Sequence, residues 1–146
     1  MSDVETAVGL FRDGYACSQA ILGAYGPRFG LDESQAVRLA AGFAGGMRMA
    51  ETCGAVTGAL MVLGLAYCGD DCRQAAGRKA AYGAVTSFMH KFGERHGSLT
   101  CRELLGCDIS TPDGAQAAQE QGLFRTKCVQ LVRDAAELVE STLPTA

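Results

Sequence analysis

Proline is scarce in this sequence, at three residues in 146. Since proline breaks helices by removing an amide donor and clashing with the preceding turn, its scarcity leaves long stretches free to be helical. The apolar–polar alternation of a half-buried strand is missing as well, and the fold class expected is all-α. No block of basic residues stands out: 13 Lys and Arg face 16 Asp and Glu, for a formal net charge of -3. Nucleic acid and anionic membrane surfaces are therefore not the expected partners. The longest apolar run, Ala55 to Ala66, falls short of the roughly 20 residues that span a bilayer. Met1-Ser2-Asp3-Val4-Glu5 has neither the basic nor the apolar region of a signal peptide, so the expectation is a cytoplasmic protein. Paired C-x-x-C motifs are absent, which removes local zinc-ribbon and ferredoxin-type sites. His90 and His96 do not stand three or four residues apart and read as surface or cap residues.

What is present is a globular composition, 48% hydrophobic and 20% charged, in a length that suits one domain over residues 1–146. Cysteine is the unusual residue, with seven copies. In a reducing compartment they are poor candidates for permanent staples, so metal binding or redox chemistry competes as the explanation. An odd number also forbids complete internal pairing.

The helical pattern is readable in order. Ser2 and Glu5 form a capping box before a first helix that ends near Gly14, and a second runs from about Ala16 to Tyr25 before Gly26-Pro27. Asp32 and Gln35 open a third, through to about Phe43. Gly45 to Ala50 reads as a loop leading into a fourth helix, apolar all round from Ala55 to Ala66 and hence central. Cys68-Gly69-Asp70-Asp71-Cys72 is read as a plain connector in preference to a local disulfide or metal site. A fifth helix covers about Asp71 to Phe92, and Thr100-Cys101-Arg102-Glu103 caps a short sixth. Thr111-Pro112 opens a seventh, and an eighth begins near Arg125, or later with Thr126 as its cap. The expectation is a single-domain bundle of roughly seven to eight helices.

The organising stretch is Glu51-Thr52-Cys53-Gly54-Ala55-Val56-Thr57-Gly58. With Thr52 as the N-cap, Cys53 falls in the first turn, where free N–H groups and the helix dipole favour a thiolate. Gly54 and Gly58 lie one turn apart, a face open to another backbone or to a bulky cofactor, and each costs about 1 kcal/mol against alanine. Arg48 is the nearest cation to Cys53, read either as a solvated loop arginine or as a partner for a thiolate or bound anion. Glu51 reads as a dipole-complementing carboxylate.

Cys17, Cys53, Cys101 and Cys128 each fall near a helix start, those of the second, fourth, sixth and eighth helices. Helices joined by short loops run antiparallel, so alternate helices bring their N-termini to one end of the bundle. The four thiols are expected to converge there, with four dipoles favouring negative charge. Taken singly, each cysteine also reads as an inert buried residue.

These residues resemble the C-GCAxxG-C-C family, small redox-active proteins with four signature cysteines. The resemblance rests on Tyr15-Ala16-Cys17-Ser18-Gln19-Ala20, Gly45-Gly46, Cys53-Gly54-Ala55-Val56-Thr57-Gly58, Phe92-Gly93, Cys101-Arg102-Glu103-Leu104-Leu105-Gly106 and Cys128-Val129-Gln130-Leu131-Val132. It implies that Cys17, Cys53, Cys101 and Cys128 are the signature cysteines, and assigns nothing to Cys68, Cys72 or Cys107. The function expected first is thiol–disulfide oxidoreduction, with Cys53 attacking and Cys17, Cys101 or Cys128 resolving, for an unidentified redox or electron-transfer partner. The alternative is a four-thiolate metal site, an iron–sulfur cluster or zinc, with Gly54, Gly58 and Arg48 beside the cofactor. A third reading is a non-catalytic helical interaction module that forms a homodimer through small residues.

Overall fold

The computed structural model describes residues 1–70 and 72–144. Eight α-helices account for most of them, and the described residues contain no strand. In chain order they are α1 (Asp3–Arg12), α2 (Cys17–Tyr25), α3 (Glu33–Ala40), α4 (Gly54–Tyr67), α5 (Ala75–His96), α6 (Cys101–Leu105), α7 (Pro112–Glu120) and α8 (Lys127–Thr142). The caps expected from the sequence start four of them. Ser2 accepts from the Glu5 N–H at 3.1 Å, Asp32 from Gln35 at 2.8 Å, Thr100 from Glu103 at 3.4 Å and Thr111 from Gly114 at 3.0 Å. Proline stands at the first position of α7.

The apolar α4 lies in the middle, packed on α2, α5 and α8. Ala55, Val56, Ala59, Val62 and Leu63 are wholly buried there, against Ile21 and Tyr25 of α2, Phe88 and Phe92 of α5, and Val132 and Val139 of α8. The α2–α4 crossing is close because Gly58 faces Ser18, where a β-carbon would fall 2.9 Å from the Ser18 carbonyl oxygen. Gly58 thus serves helix packing and not a cofactor cradle. Ser18 is itself fully buried and donates its hydroxyl to the Ala40 carbonyl at 2.8 Å, so the crossing leaves no polar group orphaned. A second, smaller apolar cluster of Ala50, Cys101 and Leu105 gathers Ile109, Leu123, Phe124 and Cys128 beside the main core.

Three expectations are corrected here. The 68–72 turn is no plain connector: Cys68, the C-cap of α4, is disulfide-bonded to Cys72. Gly69, at φ 74°, turns the chain back so that the two α-carbons stand 5.2 Å apart, within bridging range. The expected start of the fifth helix, Asp71, lies outside the described residues, and α5 runs from Ala75 with Gln74 as its cap. His96 is no surface residue: its side chain is 8% exposed, its ring packs on Phe92 at 4.5 Å, and Nε2 stands 3.1 Å from Asp134 Oδ2. Burial lowers its pKa from the ordinary 6.5, against the opposing pull of Asp134. Helix α5 extends past Phe92, which carries His96 inward one turn later.

No helix among the described residues is long and apolar enough to cross a membrane.

Candidate functional site

Two helix starts are tied together by backbone pairing. Thr52 and Thr100 form an isolated antiparallel bridge, flanked by Cys53 N–H to Leu99 O at 2.8 Å and Cys101 N–H to Glu51 O at 2.6 Å. Thr52 is therefore not the cap of α4. Its extended backbone is held by the bridge, which moves the helix start one residue on and makes Cys53 the cap. The Cys53 carbonyl accepts from Val56 at 2.9 Å and Thr57 at 3.0 Å. The start of α2 is pinned independently: Gln19 accepts from the Ala16 N–H and donates to the Val37 carbonyl, both at 2.9 Å.

The starts of α2, α4, α6 and α8 line one cavity of about 170 Å³. Cys17 stands at the first position of α2, Cys53 caps α4, Cys101 is first in α6 and Cys128 is second in α8. All four face this cavity and all four are free thiols. The remaining wall is largely apolar, from Phe11, Ala44, Leu105, Ile109, Phe124 and Leu131, so the cavity sits where the main core meets the smaller cluster. Of the residues picked out from the sequence, Gly54 and Arg48 also line it, whereas Gly58 does not. Cys107 is free and half-buried but does not line the cavity.

Gly54 makes room for a thiol. A β-carbon there would fall 2.3 Å from Cys17 Sγ and 3.2 Å from the Ser18 nitrogen. The Cys17 sulfur lies among backbone N–H groups of Gly45, Ser18, Gly54 and its own residue, each of which favours the thiolate. Burial outweighs them and raises the Cys17 pKa overall. The same competition goes further at Cys53. Burial drives its pKa far up, Cys17 and Cys101 add to the rise, and the Ala55 and Val56 N–H groups oppose it without closing a capping hydrogen bond. Cys101 is pushed up to about 11 by burial and Cys17, against Arg102 and Arg48. Cys128 is pushed up to about 12 by burial, Cys17 and Cys101, against Lys127. The thiolate expected at a helix start is thus not realised, because desolvation in an apolar pocket exceeds what a few N–H groups return.

The pocket rim is a left-handed turn. Gly45, Gly46, Met47 and Arg48 have φ of 62°, 64°, 56° and 64°, and Ala50 follows at 56°. For Met47, Arg48 and Ala50 such backbone costs roughly 1–2 kcal/mol each, so something must hold it. Arg102 does: it donates to the Met49 carbonyl at 2.8 Å and the Ala50 carbonyl at 3.2 Å, and pairs with Glu51 at 3.0 Å. Gly46 is obligatory, since a β-carbon would fall 2.3 Å from the Glu51 nitrogen. In the sequence, only its place beside Cys101 in a capping box marks Arg102.

Among the described residues no group of three or more Cys, His, Asp or Glu side chains is arranged to hold a metal ion. A zinc tetrathiolate needs four sulfurs about 2.3 Å from one ion, and no such grouping stands among the described residues.

The family profile described as "Putative redox-active protein (C_GCAxxG_C_C)" matches residues 15–142. The chain belongs to this family. The matched span runs from the residue before the α2 cap to the last residue of α8 and so includes all four cavity cysteines. Neither a curated protein nor a solved structure matches the chain.

Proposed function

We propose that this member of the C-GCAxxG-C-C family is a thiol–disulfide oxidoreductase whose chemistry takes place in the four-thiol cavity. The observation that carries the reading is four free cysteines from four helix starts on one apolar cavity. First attack is assigned to Cys17 in place of Cys53. Four backbone N–H groups favour the Cys17 thiolate, those of Gly45, Ser18, Gly54 and Cys17 itself, whereas at Cys53 those of Ala55 and Val56 do so. Cys17 gives up its proton to water, attacks one sulfur of a substrate disulfide, forms a mixed disulfide and expels the other half as a thiolate, which takes a proton from water. Cys53, Cys101 or Cys128 then loses its proton, attacks the Cys17 sulfur and expels the second half. Two substrate thiols leave, one internal disulfide remains, and a dithiol reductant returns the protein to its starting state. The apolar wall keeps competing water from the sulfur atoms.

The test is differential alkylation with peptide mass spectrometry on reduced protein, before and after mild diamide oxidation. One disulfide within the set Cys17, Cys53, Cys101 and Cys128 is expected, reversed by dithiothreitol and lost in Cys17→Ser. If those four stay reduced while Cys68 and Cys72 alone cycle, the proposal is wrong.

A further inference from the structure

The cavity has one charged side chain at its edge, the exposed Arg48, whose charge acts on Cys101. Arg48 makes no hydrogen bond or ion pair among the described residues, although it is held in place by the left-handed turn. Its neighbour Arg102 is fully engaged with Met49, Ala50 and Glu51. The guanidinium lies over Gly45, where a β-carbon would fall 2.9 Å from Nη1, and the N–H of that same glycine faces the Cys17 sulfur. The cation and the attacking sulfur therefore both stand beside Gly45. We propose that Arg48 selects the substrate of the thiol site: a small disulfide bearing a carboxylate or similar anionic group a few bonds from its sulfur.

Each part of the pocket fits one part of such a molecule. The apolar wall of Phe11, Ile109 and Phe124 takes a short hydrocarbon body, and about 170 Å³ admits roughly the bulk of a benzene ring. The cradle around Cys17 receives the sulfur, and the guanidinium pairs with the anion by charge-assisted hydrogen bonds. The overall charge of the protein gives an anion no advantage. Its formal net charge is -3, and the Asp108 carboxylate acts on the neighbouring Cys101. Arg102 and Lys127 also act on cavity thiols, so the share of any anion preference due to Arg48 is read from its substitution. The proposal rests on the thiol-exchange reading above, and the experiment separates the two.

The experiment follows mixed-disulfide formation by intact mass with three probes: dithiodipropionate, a dianion; hydroxyethyl disulfide, neutral; and cystamine, a dication. Each rate is divided by that of free glutathione with the same probe, which removes intrinsic reactivity. The wild type is expected to favour dithiodipropionate over cystamine by roughly tenfold at low salt, falling as salt screens the pair. Arg48→Gln is expected to lower this ratio about fivefold or more, and Arg48→Lys to keep most of it. A ratio that Arg48→Gln leaves unchanged, or a wild-type preference for cystamine, overturns the selection by Arg48. Equal reaction with all three probes at Cys17 does the same while leaving thiol exchange intact. Failure of every probe to modify a cavity thiol would remove the thiol-exchange reading itself.

Discussion

Two glycines in one helix do opposite things because of what lies beside them. At Gly54 a β-carbon would meet Cys17 Sγ at 2.3 Å, whereas at Gly64 it would meet nothing within 4 Å. Gly54→Ala should therefore destabilise by about 1–3 kcal/mol, since overpacking exceeds the gain in helix propensity. It should also displace the Cys17 thiol from its N–H groups and change its alkylation rate. Gly64→Ala should stabilise by up to about 1 kcal/mol. Urea midpoints of the two variants check both signs, and equal shifts would refute the close-approach role of Gly54. Cys53 teaches the complementary lesson. A helix start supplies partial positive charge, but burial of the sulfur decides the direction of its pKa.

At the scale of elements, the segment 45–50 is the part of the fold held against its own preference. Glycines at 45 and 46 begin the left-handed turn at little cost, and Met47, Arg48 and Ala50 continue it at a price met by Arg102. Arg102→Ala removes two hydrogen bonds to carbonyls and one exposed ion pair with Glu51. A loss of about 1–3 kcal/mol is expected, with faster proteolysis at Met47 to Met49 than elsewhere in the chain. Unchanged cleavage there would show that the turn is held by other contacts. The Thr52–Thr100 bridge works at the same scale, because it couples the start of α4 to that of α6 and so fixes Cys53 and Cys101 relative to each other.

Across the whole molecule, several cavity thiols have pKa values raised by folding, and this makes stability depend on pH. Below the ordinary thiol value of 9.0 both folded and unfolded chains hold these protons, and the contribution is complete. Above it the unfolded chain releases protons that the folded chain keeps, so stability falls as pH rises, on toward about 11 for Cys101 and about 12 for Cys128. Urea midpoints of the reduced protein should drop between pH 9 and 11, and a Cys53→Ala, Cys101→Ala double variant should flatten that slope. Much of this molecule is legible without coordinates, because caps and apolar periodicity are local. Ser2, Asp32, Thr100 and Thr111 announce their helices, and alternate helix starts put Cys17, Cys53, Cys101 and Cys128 at one end of the bundle. The Cys68–Cys72 bond, the inward His96, the engagement of Arg102 and the buried thiols needed the tertiary structure. The Cys68–Cys72 bond turns on the local fold-back at Gly69. The other three depend on what a distant segment places next to the residue, because desolvation and close approach are properties of that neighbour and not of the local sequence.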